Sequence, residues 1–385
     1  MQYRTLGKTG HKASLLGMGC MRLPFINNDG SQGVDKDAAI ELIQHAANNG
    51  INYFDTAFGY HGGESEAIMG EALESRRKDV LYVTKQPSWE MHDLPTIRRN
   101  LENTLKKLRT DYIDFYLMHR IMPLSWDEIK EKKFMEEFDK FKEEGLIRHI
   151  GCSYHGNLEH FKKVVQEYPW EMCMVQHNMV DTEREVTLEG IEFAAKYGNA
   201  ITIMEPLRGG GLAYASKDVQ AAYDKCETKT TKRTPAEWAF RYLADIPEIS
   251  VIVSGMSNMQ QLKDNLAMFS QEDMLPSSLT SAEKTAISTA RNVYNSHVSI
   301  PCTYCNYCVP CPQGVQIPNI FGLYNDAHRF GHLDQPRRAY MFATRASGDY
   351  TKCNKCNKCI KKCPQNIEIV KELHTAHETL KGWVE

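Results

Sequence analysis

Three runs, INYFDTA (51–57), VLYVTK (80–85) and YIDFYLMH (112–119), are rich in β-branched and aromatic residues, and each carries an ionisable residue at or near its C-terminal end: Asp55, Lys85 and His119. The same kind of run recurs at LLGMGCM (15–21), IRHIGCS (147–153), CMVQHN (173–178), AITIMEP (200–206) and SVIVSG (250–255). Segments with helical periodicity lie between them, such as DAAIELIQHAANNG (37–50) and TIRRNLENTLKKL (96–108). The first of these starts acidic and closes on Gly50, a plausible C-cap. Near-continuous apolar strands alternating with helices imply parallel βαβ units. Eight such units predict a closed (β/α)8 TIM barrel. An open dinucleotide-binding sheet would carry G-x-G-x-x-G after its first strand. Here Gly17-Met18-Gly19-Cys20-Met21-Arg22 places an arginine where the third glycine belongs.

The remainder of the chain reads differently. Residues 276–300 look like a polar connection with one helix, and from Pro301 cysteines dominate. Eight of the twelve lie between Cys302 and Cys363. The expected organisation is a barrel over 1–275, a helical linker over 276–300 and a cysteine module over 301–385. From Pro301 onward there are eleven Lys/Arg and seven Asp/Glu, a local net of +4, which leaves −7 for the rest of a chain whose total is −3. That total argues against nucleic acid as the main partner. No stretch approaches the ~20 apolar residues of a membrane helix, and the N-terminus has no signal-peptide pattern. A cytoplasmic protein is expected. Thiols stay reduced there, so a dense cysteine block points to metal ligation and not to disulfides.

Barrel enzymes place their chemistry at the C-terminal ends of the strands. Asp55, Lys85 and His119 fall there, with Tyr60 five residues past Asp55. A buried lysine and aspartate satisfy each other. A lysine beside a tyrosine is expected to lower the pKa of its hydroxyl, and a tyrosine so tuned donates a proton to a carbonyl oxygen as hydride arrives at carbon. The motif Asp55-Thr56-Ala57-Phe58-Gly59-Tyr60, together with Lys85 and His119, resembles the catalytic tetrad of the aldo-keto reductases. The resemblance covers roughly residues 1–270. It implies that Tyr60 is the general acid, that Lys85 and Asp55 tune it, and that His119 positions a small-molecule carbonyl or alcohol substrate.

The resemblance also implies NADP or NAD, held across the strand ends without a Rossmann fingerprint. Ser153 and Gln176 look like the residues that hold the nicotinamide carboxamide. The loop Pro206-Leu207-Arg208-Gly209-Gly210-Gly211 follows the seventh run, and its glycines allow close approach of a pyrophosphate. Ser254-Gly255-Met256-Ser257-Asn258 follows the eighth run and opens a helix, a second anion site. Three departures from the family stand out. Tyr154 follows Ser153 where many relatives have Asn. No tyrosine lies near Met204-Glu205. The loop after the eighth run lacks the usual arginine for a 2′-phosphate. A flavin therefore stays open as an alternative.

The cysteines form two motifs, Cys302-x2-Cys305-x2-Cys308-x2-Cys311-Pro312 and Cys353-x2-Cys356-x2-Cys359-x3-Cys363-Pro364. The second matches the bacterial ferredoxin run, in which the fourth cysteine ligates the other cluster. Two [4Fe-4S] clusters are expected, one on Cys302, Cys305, Cys308 and Cys363, the other on Cys353, Cys356, Cys359 and Cys311. Zinc also suits paired Cys-x2-Cys, but four cysteines per motif with a following proline favour iron–sulfur. The long helical gap between the motifs resembles an α-helical ferredoxin. A subgroup of aldo-keto reductases resembles the whole architecture.

Clusters pass single electrons, whereas a nicotinamide gives a hydride. Three functions follow: an NAD(P)H-linked carbonyl reductase whose clusters exchange electrons with ferredoxin or another carrier; a ferredoxin-driven reductase using flavin; and a non-enzymatic redox sensor or electron-transfer adaptor. The scattered Cys20, Cys152 and Cys173 read as small core residues.

Overall fold

The structure is a computed structural model describing residues 1–27, 33–226, 232–344 and 348–382. Arg345, Ala346 and Ser347, the end of one expected helical segment, lie outside the described residues. The chain divides into two compact units, Met1–Pro206 with Ala239–Leu279, and Leu207–Trp238 with Thr280–Glu385.

In the first unit, β1 (Tyr3–Thr5) and β2 (Lys12–Ser14) form an antiparallel hairpin. Eight parallel strands follow: β3 (Leu16–Gly19), β4 (Tyr53–Asp55), β5 (Leu81–Pro87), β6 (Ile113–Ile121), β7 (Ile147–Tyr154), β8 (Met172–Gln176), β9 (Ala200–Met204) and β10 (Ile249–Ser254). They close in the order β10-β3-β4-β5-β6-β7-β8-β9. All eight expected runs are barrel strands. Helices α1 (Lys36–Asn48), α2 (Ser65–Leu73), α3 (Leu94–Lys107), α4 (Pro123–Glu131), α5 (Phe134–Glu143), α6 (Leu158–Glu167) and α7 (Thr187–Lys196) lie between successive strands.

Alternate residues of each strand face the barrel interior. Tyr53, Leu81, Val83, Phe115, Leu117, Met172, Met174, Val251 and Val253 share one buried cluster. The same parity carries on to Asp55, Lys85, His119 and Gln176. These polar side chains are the last members of inward-facing apolar rows, which is why they reach the mouth. The parity also explains Gly17 and Gly19. A Cβ on Gly17 would stand 2.8 Å from Val251 Cγ1 and 2.9 Å from Tyr53 Cδ1, and one on Gly19 3.0 Å from Val253 Cγ1. These glycines make room for the barrel core.

The second unit gathers α8 (Lys217–Asp224), α11 (Ser281–Ser296), α12 (Ile317–Phe330), α13 (Asp334–Thr344) and α14 (Ile369–Leu380); α9 (Pro235–Ala244) spans the division and α10 (Met259–Phe269) follows β10. Helix α11 begins with a capping box between Thr280 and Glu283, and Glu283 also takes an ion pair from Arg233. Tyr294 donates to the Tyr214 carbonyl at 2.6 Å, and His297 meets Asp218 at 2.9 Å. The expected linker helix is thus packed against Tyr214 and α8, which the sequence grouped with the barrel. A separate apolar core of Ile300, Val315, Ile317, Ile320, Phe321, Tyr340, Ile369, Leu373 and Leu380 holds this unit together, with six of the eight motif cysteines against it.

Candidate active site and cluster-binding module

At the barrel mouth Lys85 is 1 % exposed and Asp55 is 4 % exposed. The Lys85 ammonium donates to both Asp55 carboxylate oxygens, at 2.7 and 2.8 Å, and to the Thr56 carbonyl at 2.6 Å. It lies 5.0 Å from the centre of the Tyr60 ring. Tyr60 opens a tight turn in which His61, Gly62 and Gly63 take φ of 53°, 66° and 95°. His61 Nε2 accepts from the Leu23 N–H, which ties the turn to the start of the chain. His119 sits edge-on to Tyr60 with ring centroids 6.0 Å apart, and the half-exposed Trp89 ring packs on it at 5.2 Å. The four sequence-selected residues therefore meet in one unit.

Their electrostatics correct one expectation. Burial pushes the Tyr60 hydroxyl above its ordinary range. Lys85 opposes that shift, while Asp55 and Glu205 add to it. Desolvation wins over the neighbouring ammonium, so Tyr60 stays a protonated phenol. For Lys85 burial pulls down, yet Asp55 and Tyr60 outweigh it and hold the ammonium above the usual lysine range. Burial, followed by Lys85, His155 and Arg120, pushes His119 down to about 2, so it is a neutral imidazole at physiological pH. The site offers a neutral proton donor, a fixed cation beneath it and a neutral imidazole beside it.

Two acidic groups escaped the sequence reading. Glu205, just past β9, has φ 56°, and its carbonyl faces the Asn178 amide at 3.5 Å. His155 meets Glu185 at 3.6 Å and stands close enough to His119 to depress it. Tyr154, which replaces the usual asparagine, turns away: it is buried, with its hydroxyl on the Asn157 carbonyl and His160 Nδ1 at 3.0 Å each. Cys20, Cys152 and Cys173 are fully buried.

The residues expected to hold a nicotinamide are spread along the strand ends. Ser153 and Gln176 are 1 % and 8 % exposed, on the adjacent strands β7 and β8. Gln176 Nε2 is buried without a hydrogen-bond partner among the described residues. Such a donor is costly to leave unmade, and it fits a ligand carbonyl. After β10, Ser254 accepts from Asn265, and Asn258 caps α10 by accepting from the Gln261 N–H at 2.9 Å. The Arg22 side chain lies over Gly255, where an added Cβ would come within 3.1 Å of it. An arginine thus reaches this loop from the end of β3, although the loop's own sequence lacks one. The glycine loop after β9 is partly explained without a ligand. Gly209 and Gly210 have φ of 67° and 102°. A Cβ on Gly211, however, would collide with the Phe330 ring at 2.4 Å, and Arg208 pairs with Asp326 at 3.2 Å.

In the second unit the thiols line two cavities. One is walled by Cys302, Cys305, Cys308 and Cys363. The other is walled by Cys311, Cys353, Cys356 and Cys359, with Cys308 between them. The fourth cysteine of each motif lines the cavity of the other motif, in the crossed arrangement of two-cluster ferredoxins. The donor set therefore fits two cubanes. Among the described residues no three Cys, His, Asp or Glu side chains converge on an ion-sized point. Burial and the neighbouring thiols push Cys308 up to about 11.

The backbone is duplicated as well. Tyr304 and Asn306 in the first motif, and Lys355 and Asn357 at the matching places in the second, all have φ between 56° and 64°. Cys311-Pro312-Gln313-Gly314 and Cys363-Pro364-Gln365-Asn366 both end on a left-handed residue whose N–H donates to the cysteine carbonyl, at 2.9 and 3.2 Å. Each then enters a helix, α12 or α14. Repeated left-handed residues curl a chain so that its N–H groups line a concavity, a form suited to an anionic cluster.

Two known families match the two parts of the chain. The aldo/keto reductase family model matches residues 15–278, and a 4Fe-4S dicluster domain matches residues 301–368. The uncharacterized oxidoreductase YqkF of Bacillus subtilis is 26% identical over 324 residues, 78% of this chain and 100% of that protein. The L-galactose dehydrogenase of Arabidopsis thaliana is 28% identical over 295 residues, 71% of this chain and 90% of that one. Among solved structures, the aldo-keto reductase AKR11C1 of Bacillus halodurans in its holo form matches 75% of this chain and 96% of its own, at 25% identity and a TM-score of 0.62. An aldo/keto reductase of Klebsiella pneumoniae, in complex with NADP and acetate, shares the fold at 18% identity and a TM-score of 0.60, over 75% and 95% of the two chains. No helix among the described residues is long and apolar enough to cross a membrane. The chain belongs to the aldo/keto reductase family, and a 4Fe-4S dicluster domain follows its barrel.

Proposed function

We propose that the barrel reduces a small-molecule carbonyl, or oxidises the corresponding alcohol, with NADP(H) or NAD(H), and that the C-terminal domain carries two [4Fe-4S] clusters that exchange electrons with a soluble carrier in the cytoplasm. The observation that carries this reading is Lys85 held between the Asp55 carboxylate and Tyr60 at the mouth end of β5. A nicotinamide bound at the strand ends supplies the hydride.

Tyr60 presents its hydroxyl to the carbonyl oxygen and gives up its proton as negative charge develops there. Lys85 stabilises the phenolate that remains, and Asp55 keeps Lys85 charged and aimed. His119, neutral, completes the hydrogen bonding of the substrate oxygen, while Trp89 walls the approach. Gln176 and Ser153 offer partners for a carboxamide. Arg22 offers a cation beside the loop after β10, which supports a phosphate-bearing cofactor. Crossed thiol sets support two clusters, each of which passes one electron at a time.

Steady-state reduction of an aldehyde panel by wild type and Tyr60→Phe tests the barrel half. Turnover that needs Tyr60 supports the reading. Equal turnover by both proteins would sink it in favour of a reductase-like scaffold without barrel chemistry.

A further inference from the structure

The two cysteine motifs share a backbone but differ in charge. Residues 301–325, which contain the first motif, include no Lys, Arg, Asp or Glu. The second motif carries Lys352, Lys355, Lys358, Lys361 and Lys362, with no acidic residue from 350 to 362. All five lysines are exposed, and among the described residues none has a carboxylate partner. Lys358, Lys361 and Lys362 stand at the cavity of the second thiol set; Lys352 and Lys355 are outside its lining.

A role confined to the cluster's own charge does not explain this. Each expected cluster has four thiols, with Cys308 touching both cavities, so any need to offset a thiolate-ligated cluster is the same at both. The lysines serve only one. Access does not separate the two either, since Cys305 and Cys356 are both exposed. The surface of the first motif is uncharged, with Tyr307 63 % exposed. The second is a compact cationic face around an exposed cluster ligand.

We infer that the second motif is the docking face for an acidic one-electron carrier, which exchanges its electron at the cluster of Cys311, Cys353, Cys356 and Cys359. The inference rests on the iron–sulfur reading above. One electron leaves the reduced carrier and enters that cluster, and no atom is transferred. Complementary charge raises the encounter rate and fixes orientation, more than it adds lasting affinity. A brief, salt-sensitive encounter suits a carrier that must leave after one electron.

The test uses anaerobic holoprotein mixed by stopped flow with reduced acidic [2Fe-2S] ferredoxin. Wild type is compared with a Lys352→Gln/Lys355→Gln double variant and with a variant carrying Gln at all five lysines. At low ionic strength the second-order rate should fall about threefold in the double variant and at least about tenfold in the fivefold variant. The salt dependence should flatten, and calorimetric binding of oxidised ferredoxin should weaken in step. Iron content and full bleaching by dithionite should not change. Equal rates at all salt concentrations would overturn the inference. So would a shifted cluster potential with an unaltered ferredoxin rate, which would assign the lysines to the cluster itself. Tighter binding of a single-stranded oligonucleotide than of ferredoxin would also overturn it, in favour of a nucleic-acid partner. Lack of iron in the wild type would instead remove the underlying iron–sulfur reading, before any lysine is changed.

Discussion

The barrel mouth and the cysteine module solve the same problem, gathering reactive side chains, in opposite ways. At the mouth each strand contributes one residue, and closure of the barrel brings Asp55, Lys85 and His119 together from positions 64 residues apart at most in the sequence. In the module two short motifs fold back on themselves with the same left-handed residues, and only the fourth cysteine crosses over. The mouth depends on burial and charge balance; the module depends on spacing and backbone shape. On the proposed function, one is a protonic device and the other an electronic one.

The sharpest way to break this contrast is the crossed pairing. Replacing Cys363 by Ser should remove the cluster of Cys302, Cys305 and Cys308, although Cys363 belongs to the other motif, and about half the iron should be lost. Mössbauer and electron paramagnetic resonance spectra of single-cluster variants check it. Loss of the second cluster instead would mean that each motif is self-contained.

At the mouth, Tyr60→Phe should lower kcat for carbonyl reduction by roughly 10²–10⁴-fold, with the cluster spectrum unchanged. A parallel loss of clusters would show that the two regions do not fold separately.

The pH profile sharpens the protonic half. Tyr60 is raised above its ordinary value of 10.0 by burial. Its proton-donating form is then complete through neutral pH. Reduction should stay level and fall only above that ordinary value, whereas oxidation, which needs the phenolate, should rise with pH. Reduction that fell between pH 7 and 9 would mean that Lys85 dominates over burial.

The smallest effect is expected at the cofactor. Arg22→Ala should raise KM for NADPH about tenfold, the worth of one charge-assisted hydrogen bond, and leave KM for NADH nearly unchanged. Equal changes for both would remove Arg22 from 2′-phosphate binding.

These two regions were legible to different depths. The eight strands showed because parallel strands buried on both faces read as unbroken apolar runs. The tetrad showed because buried ionisable residues at strand ends are rare enough to be noticed. The direction of the Tyr60 shift did not show, since it depends on how deeply the turn at Gly59–Gly63 settles and on Glu205, a residue 145 positions away. Arg22 beside Gly255 and Phe330 beneath Gly211 are likewise long-range contacts that no local pattern carries. The glycines near the start of β3 and after β9 are instructive. Sequence alone cannot separate a glycine that admits a phosphate from one that admits a tyrosine or a phenylalanine ring. The two cysteine motifs were readable as spacing, but the repeated left-handed backbone was not, because lysine and tyrosine seldom signal that conformation.

The most direct test of the whole account is anaerobic titration of the purified protein with NADPH, and separately with NADH, following the visible spectrum. The account predicts that a nicotinamide bleaches the cluster absorbance, so that barrel and clusters share electrons; any flavin released on denaturation would identify the group that divides the hydride's electron pair. Bleaching by dithionite or reduced ferredoxin, but by neither nicotinamide, would contradict it and leave a ferredoxin-driven barrel in its place.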